Sequence, residues 1–128
     1  MTTELTLTGL HLSAGDRELV RGVSLTLRRG RVLGLVGQSG SGKTLTTLAL
    51  PDLLPPGIRR TGGTVAVDGR VLDRPAQATL RGSTLGYIQQ APRAGFNPLV
   101  SIGRHFRETL GAAGLRGASA RADARPAA

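Results

Sequence analysis

Cysteine and tryptophan are both missing from this 128-residue chain. Without thiols there is no disulfide framework and no thiolate metal site, a pattern at home in a reducing compartment. Aromatics make up only 2% of the residues, so any core rests on leucine, valine, isoleucine and alanine. The few aromatics also offer no stacking platform of the kind single-strand nucleic-acid binders use. No apolar run approaches the ~20 residues of a membrane-spanning helix. The first residues, Met1-Thr2-Thr3-Glu4-Leu5, have no basic segment leading into an apolar one, so no signal peptide is expected. Lysine is the scarcest basic residue: Lys43 stands alone, and the other sixteen of the 17 Lys+Arg are arginine. The formal net charge of +9 is spread along the chain, with doublets only at Arg28-Arg29 and Arg59-Arg60. A dispersed charge reads as a solvated surface with an arginine bias, and nucleic acid is not expected as a partner.

The one lysine lies in Gly37-Gln38-Ser39-Gly40-Ser41-Gly42-Lys43-Thr44, which fits G-x-x-x-x-G-K-[ST] at every fixed position. A triphosphate crowds several negative charges together and needs many donors in a small volume. The glycines at 37, 40 and 42 let the backbone curl and point N–H groups inward. A helix opening near Gly42 adds its positive end. Lys43 reaches the phosphates as a movable point charge, a role the planar guanidinium fills poorly. Thr44 places a hydroxyl where Mg²⁺ needs an oxygen.

The flanking pattern predicts a strand, the loop and a helix. Glu4 to Leu12 alternates as a strand, with Gly9 interrupting between Leu7 and Leu10. Gly15-Asp16 reads as a turn, and Val23, Leu25 and Leu27 mark a second half-buried strand. Val32-Leu33-Gly34-Leu35-Val36 is almost wholly apolar and predicts a strand covered on both faces. Thr44 to Leu50 predicts a helix that Pro51 kinks or ends. Pro55-Pro56-Gly57 closes that segment. Gly62-Gly63 reads as a turn, and residues 64–72 as a small hairpin about Asp68-Gly69. Leu85 to Gln89 predicts another strand, and Ile102 to Leu110 a helix with Ser101 as N-cap. Gly111 to Ala128 reads as a tail.

His11 and His105 lack acidic or thiol companions at ligand spacing and read as surface or packing histidines. Asp16, Asp68 and Asp73 read as turn or surface residues. None follows an apolar strand as a Mg²⁺-holding aspartate does.

Val23-Ser24-Leu25-Thr26-Leu27, then Arg29-Gly30 and the run into Gly37, resembles the start of an ABC-transporter ATPase. Tyr87-Ile88-Gln89-Gln90-Ala91-Pro92 is similar to that family's Q-loop, with Gln90 as the matching glutamine. Phe96-Asn97-Pro98-Leu99 narrows the resemblance to the dipeptide, oligopeptide and nickel importers, nearest the nickel-import members. The resemblance covers residues 4 to 110. It implies an α/β fold: an incomplete P-loop NTPase (RecA-like) core with an ABC-type antiparallel β subdomain. Residues 1–100 would be the N-terminal part of the ATPase domain, 101–115 the start of a helical subdomain, and 116–128 an Ala/Arg-rich tail.

The resemblance further implies that Gly37, Gln38, Ser39, Gly40, Ser41, Gly42, Lys43, Thr44 and Gln90 bind ATP, and that Thr44 and Gln90 hold the accompanying Mg²⁺. It implies permease subunits and a second ATPase subunit as partners, a periplasmic binding protein indirectly, and a peripheral place on the cytoplasmic side of the inner membrane. Departures from the family pattern are Ala14 where an aromatic usually stacks on adenine, Ala91 in place of an acidic residue, and Pro51 within the helix. No Leu-Ser-Gly-Gly-Gln signature, strand ending in Asp-Glu, or later switch histidine appears. The expectation is therefore a truncated ATP-binding subunit with no catalytic residue of its own, with nickel as cargo. The alternatives are a di- or oligopeptide cargo and a non-catalytic nucleotide-binding module.

Overall fold

The computed structural model describes residues 4–82, 84–91, 95–112 and 114. The chain divides into two units, Met1–Leu80 and Arg81–Ala128.

The first unit is built on a four-stranded antiparallel sheet of order β2-β1-β3-β4. The central strand β1 (Glu4–Ala14) carries Leu5, Leu7, Leu10 and Leu12, all buried. Strict alternation would send the last two to the opposite face from the first two. Gly9 prevents this. It adopts φ +58°, and the register of β1 on both neighbours shifts there. The extra residue is a β-bulge, which resets the phase so that all four leucines join one core. The N–H of Gly9 donates to Ser24 Oγ at 2.8 Å, so the bulge leaves that donor satisfied. Burying each leucine contributes about 2 kcal/mol.

Strand β2 (Arg17–Arg28) follows the turn at Gly15-Asp16, and its Val23, Leu25 and Leu27 are half-buried, as their alternation predicts. Strand β3 (Ile58–Val67) turns at Asp68-Gly69 into β4 (Arg70–Leu72). Gly62 and Gly63 lie within β3, where the composition suggests a turn. A Cβ on Gly63 would stand 2.6 Å from the Gly9 carbonyl oxygen and 2.7 Å from Leu10 Cα. The glycine pair thus lets β3 pass close over the bulge of β1.

Two helices complete the unit. Helix α1 (Lys43–Ala49) stops before Pro51, as expected of a residue without an N–H. Helix α2 (Arg74–Thr79) is not anticipated by hydrophobic periodicity. Asp73 caps it, its Oδ1 accepting from the Ala76 N–H at 2.8 Å, with Pro75 in the first turn. From α2, Gln77 is fully buried, donates to the Leu72 carbonyl at 3.0 Å and accepts from Arg60 Nη1 at 3.1 Å.

The apolar segment Val32–Val36 differs from its expected form. It forms no strand, and Val32 and Val36 are 100% and 96% exposed. A strand covered on both faces exists only between neighbours, and no described strand runs beside this one. The antiparallel subdomain is therefore present as a sheet, while the parallel core contributes only the loop and α1.

In the second unit the strand expected at Leu85–Gln89 reduces to a single bridge between Arg81 and Leu85. Helix α3 (Ile102–Ala112) matches its expected start, with the N–H groups of Arg104 and His105 bonded to the Ser101 carbonyl. The expected tail falls almost wholly outside the described residues. No helix among the described residues is long and apolar enough to cross a membrane.

Candidate nucleotide-binding site

The loop between Gly37 and Thr44 is shaped by two left-handed glycines. The Ser41 N–H closes a turn on the Gln38 carbonyl at 3.3 Å, with Gly40 at φ +77° inside it. Gly42, at φ +87°, is the N-cap of α1, and its carbonyl accepts both the Thr46 N–H at 2.8 Å and Thr46 Oγ1 at 2.9 Å. Side chains are excluded at Gly42 by the sheet. A Cβ there would lie 2.7 Å from Val20 Cγ2 and 3.3 Å from the Leu19 carbonyl oxygen. Space is equally short at Gly37, where a Cβ would lie 2.8 Å from Ser41 Oγ.

Leu19 reaches the loop at the last of three register shifts between β1 and β2. Leu12 faces Val20 while the next residue, Ser13, faces Glu18, so Leu19 is the extra residue of β2. Such bulges re-aim side chains beside sites. Here a cleft of about 190 Å³ is lined by Leu19, Gly40, Ser41, Gly42, Lys43, Thr44 and Leu45.

The Lys43 ammonium folds back over the loop, donating to the carbonyls of Gly37 at 2.7 Å and Gln38 at 2.6 Å and to Ser41 Oγ at 3.3 Å. A cation is thus held at the loop's centre by oxygens that phosphate oxygens can replace. Thr44 is exposed on the cleft. The structure therefore brings the expected residues 37 to 44 together. Among the described residues no carboxylate lines the cleft. Glu18, next to Leu19 in the chain, is engaged with His11 at 2.6 Å and Arg21 at 3.1 Å.

Gln90 belongs to the second unit, where it is exposed in a stretch without regular structure. Its neighbour Gln89 folds toward Gly95. Pro92 and Arg93 lie outside the described residues. Asn97 organises the approach to α3: its Oδ1 accepts the Leu99 N–H at 3.0 Å and its carbonyl accepts the Val100 N–H at 3.0 Å. His105 sits edge-on to Phe96 with ring centroids 5.2 Å apart. His11 and His105 thus have local structural partners. Among the described residues no group of three or more His, Cys, Asp or Glu is placed to hold a metal ion.

Comparison with known proteins agrees with this geometry. The family model described as ABC transporter matches residues 20–126. The nickel import ATP-binding protein NikD of Pseudomonas putida is 45% identical over 118 residues, covering 92% of this chain and 45% of that protein. NikD of Rhodospirillum rubrum is 48% identical over 103 residues, covering 80% of this chain and 38% of the relative. The chain therefore spans less than half the length of these relatives. Among solved structures, a bacterial Atm1-family ABC exporter with ATP bound superposes with a TM-score of 0.58 at 26% identity, covering 70% of this chain and 15% of the exporter. With a phosphate loop set against an antiparallel sheet and a family model spanning most of its length, this chain belongs to the ABC transporter family.

Proposed function

We propose that this chain is the phosphate-gripping part of the ATP-binding subunit of an ABC importer, with nickel as the cargo. The observation that carries the reading is the loop curled round Lys43, whose ammonium is already gathered by three oxygens at a cleft of triphosphate-binding composition. Residues 37 to 44 bind the phosphates of Mg-ATP. Thr44 supplies a hydroxyl to Mg²⁺, and Gln90 supplies a side-chain oxygen. The cargo assignment is supported by the nickel import relatives at 45% and 48% identity.

In this role the chain docks peripherally on the cytoplasmic face of permease subunits, beside a second ATPase subunit and downstream of a periplasmic binding protein. Phosphoryl transfer needs a group that orients the attacking water and donors that neutralise the developing charge. Among the described residues the cleft is lined by donors and by no carboxylate. The chain therefore binds Mg-ATP without turning it over.

Titration of the whole chain with a fluorescent ATP analogue and Mg²⁺ tests the grip, and phosphate release tests turnover. Saturable binding with release no faster than buffer is expected. Absence of binding sinks the assignment, and phosphate release that Lys43→Ala removes sinks its non-catalytic part. Uptake of radioactive nickel against a labelled dipeptide, in cells with and without the gene, decides the cargo. A loss confined to dipeptide uptake replaces nickel with the peptide alternative.

A further inference from the structure

Strand β2 gains two extra residues opposite a short stretch of β1. From the Leu10–Val23 pair to the Leu12–Val20 pair, β1 advances two residues and β2 three. From there to the Ser13–Glu18 pair, β1 advances one and β2 two. Each extra residue is a bulge, which breaks the ladder locally and re-aims its neighbours. Gly22, at φ +63°, belongs to the first bulge, and Leu19 is the second. Val20 stands between them and is buried. It is Val20 Cγ2 and the Leu19 carbonyl that close in on Gly42, at 2.7 Å and 3.3 Å from the position a Cβ would take. The phosphate loop thus rests on a twice-bulged piece of strand.

A backbone with broken ladder bonds needs other ties. Here they come from the far face of the sheet. His11 lies between the buried Leu10 and Leu12, so strand alternation turns it away from the core. Glu18 Oε1 accepts from His11 Nδ1 at 2.6 Å, and Glu18 Oε2 accepts from Arg21 Nε at 3.1 Å. Glu18 precedes the second bulge and Arg21 adjoins the first, so one carboxylate spans both. His11 is the end anchored on β1. Glycines flank it on both neighbouring strands: a Cβ on Gly22 would lie 3.5 Å from its Nε2, and one on Gly62 3.3 Å from its Cδ2.

We infer that His11, Glu18 and Arg21 are positioning residues for the phosphate loop. They clip the bulged stretch from outside, so that Val20 and Leu19 seat Gly42 and the loop that follows from it. None of these three residues lines the cleft. The inference rests on the phosphate-loop assignment above and extends it to residues that the nucleotide never touches.

Calorimetric titration of the whole chain with Mg-ATP is the test, at a temperature where every variant keeps the wild-type circular dichroism. Partly exposed ion pairs of this kind shift an equilibrium by up to about fivefold each. Glu18→Ala, which removes both ties, should weaken binding about three- to tenfold, and His11→Ala about threefold. His11→Asn puts an amide N–H near the place of Nδ1 and should return binding to within about twofold of wild type. Arg28→Ala is the control. It removes the Glu4–Arg28 ion pair at 3.0 Å, which joins the same two strands six residues, about 20 Å, beyond Gly22. Binding by Arg28→Ala should stay within about twofold of wild type. Wild-type affinity in Glu18→Ala, or an equal loss in Arg28→Ala, overturns the inference and leaves the phosphate grip standing. Failure of His11→Asn to recover what His11→Ala loses overturns the role of His11 as donor. If the wild-type chain binds no Mg-ATP, the phosphate-loop assignment falls, and the inference with it.

Discussion

Lys43 donates its ammonium to the carbonyl of Gly37 at 2.7 Å, across the mouth of its own loop. The lone lysine of the chain is thus held over the loop before any phosphate arrives, and binding exchanges carbonyl oxygens for phosphate oxygens. Hydrogen bonds to charged groups contribute about 1.5–3 kcal/mol each. Lys43→Ala should therefore abolish detectable binding of a fluorescent ATP analogue. Lys43→Arg should fail to restore it, because the planar guanidinium cannot enter the same ring of oxygens. Full binding by either variant would contradict the role of Lys43.

Gly42 couples the loop to the sheet. A Cβ there meets Val20 Cγ2 at 2.7 Å on a backbone already at φ +87°. Gly42→Ala should displace the start of α1 from β2 and weaken nucleotide binding at least tenfold, about 1.4 kcal/mol or more. Gly40→Ala is the control: φ there is +77° but nothing lies within 4 Å, so only the left-handed strain of about 1–2 kcal/mol applies. Titration of both variants should rank Gly42→Ala as the weaker binder.

Some of this arrangement is legible in the residues alone, and the boundary has physical causes. The phosphate loop is readable because phosphate chemistry dictates residue types at fixed spacing. The hairpin at Asp68-Gly69 is readable because its turn is local. The four leucines of β1 also announce themselves, since their pattern slips by one residue where Gly9 stands.

Gly62-Gly63 misleads because its reason is non-local: it accommodates the bulge of another strand. Helix α2 has too few residues to show periodicity, although Asp73 and Pro75 carry its start signal. The Val32–Val36 segment misleads in the opposite sense. Its apolar composition specifies a strand, but hydrogen bonding requires neighbours that the described residues do not include.

The contact between Gly63 and the Gly9 bulge gives a stability prediction. Gly63→Ala forces a methyl into backbone at 2.6 Å and should cost about 1–3 kcal/mol from overpacking, beyond the left-handed strain. Gly57→Ala has a similar φ, +85° against +93°, with nothing within 4 Å, and should pay the strain alone. Urea denaturation midpoints should fall clearly further for Gly63→Ala. Equal midpoints would remove the close packing of β3 on the bulge.

Asp73 offers a smaller and more local effect. Replacing it with alanine removes the acceptor for the Ala76 N–H and should cost about 1 kcal/mol. Hydrogen exchange should quicken in α2 while β1 stays protected. Unchanged exchange at Ala76 would show that the cap contributes nothing.

Gln77 ties α2 to the sheet, being fully buried and bonded at both ends of its amide. Gln77→Leu fills a similar volume but leaves the Leu72 carbonyl without its donor and Arg60 without its acceptor. Leaving a buried group unsatisfied costs about 1–3 kcal/mol. Arg60→Ala should cost less, since the guanidinium departs and only the Gln77 oxygen loses a partner. The two residues share one hydrogen bond, so the double variant should lose less stability than the sum of the single losses, by at least about 0.5 kcal/mol. Denaturant midpoints for the two single variants and the double variant measure that difference, and strict additivity would mean that the Arg60–Gln77 bond contributes nothing to holding α2 on the sheet.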